Sequence, residues 1–114
     1  MAMYTGTLEV EPNSFSLNIK EMVVRHGEIS FDCHGKVYSD HSPWQFSGIA
    51  ILQPEGHYKL DYTELMDETS YQTAVYLFKP KVDREECTIE GFWYERQKDH
   101  EPTVWRISGT LGPF

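Results

Sequence analysis

Every second side chain is apolar along most of this chain, and that alternation restricts its possible folds more than any other feature. A period of two sends successive side chains to opposite faces of an extended ribbon, so it marks strands with one buried face. Tyr4, Gly6, Leu8 and Val10 alternate with Thr5, Thr7 and Glu9, and after Glu11-Pro12-Asn13 the set Phe15, Leu17, Ile19 and Val23 alternates with Ser14, Ser16, Asn18 and Lys20. The third run is the clearest: Ile29, Phe31, Cys33, Gly35 and Val37 point one way, Ser30, Asp32, His34, Lys36 and Tyr38 the other. No segment sustains a helical period.

The remaining runs are separated by turn chemistry. Arg25-His26-Gly27 makes a short turn, residues 39–43 a loop, and Gln53-Pro54-Glu55-Gly56 a tight turn in which Pro presets φ and Gly closes. Between them the fourth run puts Trp44, Phe46, Gly48, Ala50 and Leu52 on one face. The fifth aligns Tyr58, Leu60 and Tyr62, and an acidic connection follows over residues 64–70. The sixth run, residues 71–78, is apolar on both faces; Lys79-Pro80-Lys81-Val82-Asp83-Arg84 ends it. The seventh aligns Cys87, Ile89, Gly91 and Trp93, and the eighth Trp105, Ile107, Gly109 and Leu111. Short connections favour sequence neighbours as sheet neighbours. The expectation is an all-β fold, an antiparallel meander of about eight strands forming one domain over residues 1–114.

Five inward faces each carry one glycine: Gly6, Gly35, Gly48, Gly91 and Gly109. A small closed barrel explains the repetition, because closing strands must bend and glycine relieves the bend, and closure also removes exposed edges. A β-sandwich, with the glycines making room for Trp44, Trp93 and Trp105, is the alternative. Eight short runs, together with Gly91-Phe92-Trp93 and Trp105-Arg106-Ile107-Ser108-Gly109-Thr110-Leu111, give the chain an architecture that resembles the calycin-like up-and-down barrels of avidins and lipocalins. Lipocalins carry Gly-x-Trp in the first strand, whereas here it stands in the seventh run. The resemblance implies a barrel that binds small molecules or proteins and is seldom an enzyme.

Charge narrows the partners. Ten basic residues are scattered among eighteen acidic ones for a net −8, so nothing clusters to attract nucleic-acid phosphates or an anionic membrane. Two cysteines, Cys33 and Cys87, are too few for a disulfide scaffold and fall on inward faces as small hydrophobes; their pairing is left open. The N-terminus shows no basic region followed by an apolar core, so the cytoplasm is expected, with a mature secreted form as the alternative.

Function is read from three groups of residues. Ile49, Ile51, Phe92 and Tyr94 fall on outward faces, joined by Tyr76 and Phe78 if Tyr71, Val75 and Leu77 face inward; large apolar groups facing out suggest an interface, either self-association into a homo-oligomer or a protein partner. Trp44, Tyr58, Tyr62, Trp93 and Trp105 offer flat rings for a small apolar or aromatic ligand at a barrel mouth. The third group carries the alternative, a small metal- or carboxylate-dependent enzyme. It comprises Asp32 and His34 on one polar face, Asp40 and His41 in the next loop, and the acids Glu64, Asp67, Glu68, Asp83, Glu85 and Glu86. Their spacing matches no ligand signature, and neither a bound metal nor a cofactor is expected. The sequence points first to a non-enzymatic binding protein.

Overall fold

The computed structural model describes residues 2–61, 72–97 and 99–114. These form nine strands: β1 (Ala2–Glu11), β2 (Leu17–Arg25), β3 (Glu28–Lys36), β4 (Pro43–Leu52), β5 (Tyr58–Leu60), β6 (Gln72–Leu77), β7 (Lys81–Asp83), β8 (Glu86–Arg96) and β9 (Thr103–Pro113). All neighbours are antiparallel and run β6-β5-β4-β3-β2-β1-β9-β8-β7; a further pairing of β6 with β8 joins the ends. Eight strands therefore close into a barrel, and the sandwich alternative falls. The ninth, β7, lies in the segment read as ending the sixth run. It pairs Lys81, Val82 and Asp83 with Thr88, Cys87 and Glu86, outside the closed ring.

Closure depends on backbones coming unusually near one another at two glycines. A Cβ on Gly35 would run into the carbonyl oxygen of Ser16, and one on Gly91 into that of Tyr76. Any other residue forces the neighbouring strand away, so these positions serve the coiling of the sheet as well as packing.

Alternation puts the core inside the barrel. Leu17, Ile29, Ala50, Cys87, Ile89 and Leu111 are fully buried, and burying a side chain of Leu or Ile size contributes roughly 1.5–3 kcal/mol. The second run departs from the expected parity. Ile19 pairs with Cys33, but Glu21 pairs with Asp32, so Lys20 is an extra residue, a β-bulge. Beyond it the faces exchange: Met22, between Tyr4 and Phe31, turns inward and Val24 packs on the core. Val23, expected inward, stands beside outward Ser30. Among the described residues every buried side-chain nitrogen and oxygen has a hydrogen-bond partner.

Candidate functional site

Two clusters of aromatic side chains stand out, one on each side of the barrel wall. The outer cluster follows from parity. In β6, Val75 and Leu77 are inward and buried, which leaves Tyr76 outward and settles the ambiguous run; Phe78, just past its end, is exposed. Tyr76 pairs with Phe92 in register, and successive pairings lay one outward row across five strands: Ile51, Lys59, Tyr76, Phe92 and Arg106. The rings touch along this face. Tyr76 meets Phe78 at 5.3 Å between centroids and Phe92 at 6.3 Å, and Phe92 meets Tyr94 at 6.4 Å. Ile49 and Ile51 extend the surface on β4, about half exposed at 49% and 48%.

Three further residues of this face were not among the candidate interface residues. His57 precedes β5 and stacks on Tyr76, with centroids 4.1 Å apart and planes 20° apart. Lys59 stands between Ile51 and Tyr76 and reaches Asp61 at 3.2 Å, a pair too exposed to contribute much. Val104, paired with Tyr94, is 45% exposed. Alternation in the fifth run puts His57 and Lys59 opposite Tyr58 and Leu60, but their neighbours across the sheet required the register.

The inner cluster gathers the three tryptophans. Phe15, buried just before β2, lies 5.7 Å from Trp44, 6.0 Å from Trp93 and 5.0 Å from Trp105. Trp93 also meets Trp44 at 5.7 Å and Phe46 at 5.4 Å, and pairs with Trp105 in register. Trp93 is buried, whereas Trp44 and Trp105 are half-buried. The same inward face of β8 continues to Glu95, opposite buried Thr73, and the indole N–H of Trp93 donates to Glu95 Oε1 at 2.9 Å. Burial raises the Glu95 carboxyl above its usual range, the Trp93 hydrogen bond opposing the shift. Glu95 went unnoticed in sequence, although its parity with Trp93 marks it. Tyr58 does not join this group: it is buried between Leu52 and Leu77, and among the described residues no ring contact links it to a tryptophan. Tyr62, with Glu64, Asp67, Glu68 and Tyr71, lies outside the described residues.

The polar candidates stay apart. Asp32 accepts from the Ser47 hydroxyl at 3.2 Å, and exposed His34 pairs with Asn18 and Gln45. Asp40 instead caps its own loop, accepting from the Ser42 backbone and hydroxyl at 2.9 and 2.6 Å, bonds that hold its carboxyl below the usual range. Asp83, Glu85 and Glu86 are exposed around the β7–β8 turn. Among the described residues no three His, Cys, Asp or Glu side chains lie close enough to hold a metal ion. Both cysteines are free thiols in the core, and Cys33 donates to the Phe46 carbonyl at 3.3 Å.

No known protein family matches the chain, and no curated protein matches it.

Proposed function

We propose that the protein is a non-enzymatic binding module, a calycin-like barrel that associates with a second copy of itself through the outer face of β4, β5, β6, β8 and β9. The observation that carries this reading is the continuous run of outward rings, His57, Tyr76, Phe78, Phe92 and Tyr94, flanked by Ile49 and Ile51. Contiguous apolar surface of this kind is what protein interfaces bury, with aromatic residues enriched at their centres.

The choice of occupant rests on the order of the row. With Tyr76 in the middle, a two-fold axis through it and parallel to the strands sets Lys59 of one copy against Phe92 of the other. The Lys59 cation then meets a ring face rather than its own copy, an arrangement compatible with an isologous contact.

The test is light scattering and native mass spectrometry of the wild type and of Phe92→Glu across a range of protein concentrations. The expected result is a wild-type dimer and a folded Phe92→Glu monomer, its far-ultraviolet circular dichroism unchanged. A wild type that stays monomeric at every concentration overturns the self-association, as does a variant that still dimerises with the same affinity.

A further inference from the structure

At the end of the barrel wall where β2 begins, β3 ends and β4 begins, a cavity of about 290 Å³ opens on the outer surface. Its polar lining is Ser16, Asn18, His34, Lys36 and Gln45. Register puts Asn18, His34 and Gln45 in one row across the three strands, and Lys36 follows His34 on the same outward face. Strand geometry sets neighbours in the row roughly 5 Å apart and His34 roughly 7 Å from Lys36, so one small group among them is within reach of all four.

These donors lack partners of their own. Lys36 and His34 are exposed, and neither forms an ion pair among the described residues. The Thr7 hydroxyl donates to Asn18 Oδ1 at 3.0 Å, which leaves the Asn18 amide N–H groups free to donate. Ser16 is fixed against the backbone of Lys36. Its N–H donates to the Lys36 carbonyl at 3.0 Å and its hydroxyl oxygen accepts from the Lys36 N–H at 2.9 Å, so the hydroxyl proton remains available.

The lining also fixes the sign of the ligand. Every polar side chain in it can donate, Lys36 carries a positive charge, and no carboxylate is among them, although acids outnumber bases eighteen to ten in the chain. Asp32 stands one step beyond His34 on the same face and accepts from the Ser47 hydroxyl. A single Lys beside that carboxylate, on a chain of net charge −8, balances one negative charge and not two. A carboxylate meets both conditions, since it only accepts hydrogen bonds and carries one charge. Pro43 and Trp44 add the apolar part of the lining.

We propose that this cavity binds a small organic monocarboxylate, with Lys36 as counter-charge and Ser16, Asn18, His34 and Gln45 as hydrogen-bond donors. The outer aromatic row takes no part, so the site stands whether or not the chain self-associates.

The test titrates the full isotope-labelled chain with benzoate at neutral pH and constant ionic strength, alongside its neutral isostere benzamide and inorganic phosphate. Amide chemical shifts report affinity and location together. The expected result is saturable shifts with benzoate, centred on Asn18, Lys36 and Gln45, which benzamide does not reproduce and phosphate produces more weakly. Lys36→Gln, at an exposed position, weakens benzoate binding about threefold or more, and Asn18→Ala weakens it as well. The same spectra show that both variants are folded, and Phe92→Glu leaves benzoate binding unchanged. Absence of saturable benzoate shifts at this cavity overturns the proposal. So does equal binding of benzamide, tighter binding of phosphate, or a folded Lys36→Gln with unchanged affinity.

Discussion

Trp93 and Glu95, two residues apart on β8, face the same interior and are joined by an indole-to-carboxylate hydrogen bond of 2.9 Å. The bond stabilises the ionised form of Glu95, but desolvation is the larger effect and raises its pKa above the ordinary 4.5. The folded chain therefore binds this proton more readily than the unfolded chain. The contribution to stability is fully present at low pH and is lost as pH rises from about 4.5 through the raised value. Glu95→Gln removes the dependence. We expect the variant to melt above the wild type at pH 8 and the gap to narrow at pH 5, as followed by calorimetry in ligand-free buffer.

Trp93 is among the largest fully buried side chains and meets Phe15, Trp44 and Phe46. Trp93→Ala leaves a cavity that these rings cannot fill together. Its expected cost is about 3–5 kcal/mol, a large share of the stability of a chain this size, measured as a lower urea midpoint.

Gly91 and Gly112 provide a matched comparison within the barrel. A Cβ on Gly91 collides with the Tyr76 carbonyl and comes within 3.1 Å of Leu77 Cα, both backbone atoms that yield only if β6 moves. A Cβ on Gly112 meets nothing within 4 Å. Gly91→Ala is expected to destabilise by about 3 kcal/mol and Gly112→Ala by less than about 0.5 kcal/mol in the same urea titration.

The two thiols are shielded by the same core. Burial, with the nearby Asp32 carboxylate adding to it, pushes Cys33 up to about 12, and burial raises Cys87. Since the thiolate is the reactive form, neither cysteine should react with a disulfide reagent at pH 8 in the native chain. Both should react once guanidinium unfolds it. Rapid labelling of the folded protein contradicts the placement of these side chains.

How far the chain was legible depends on which interactions are local. Alternation placed Cys33, Ile89, Trp93 and Ile107 inside, and each is at most 2% exposed. It could not foresee the bulge at Lys20, because one extra residue leaves no mark in a Val-Val pair that fits either parity. Nor could it assign β7, three residues whose strand conformation comes from pairing with β8.

The candidate sites show the same division. Trp44, Trp93 and Trp105 were picked out together as flat rings, and the role of Phe15 in joining them appeared only with distances. Tyr58 was grouped with them by residue type and proves to belong to a different part of the core. His57 and Lys59 joined the outer face because β5 carries them beside Tyr76.

By itself the sequence determined that the chain forms strands and which side of most of them is apolar, since period-two patterning is a property of neighbouring residues. Barrel closure, the register that lines Ile51 up with Arg106, and the meeting of three tryptophans around Phe15 were decided only by tertiary structure. Each joins residues far apart in the chain, whose proximity depends on how the strands bend and pair rather than on any local preference.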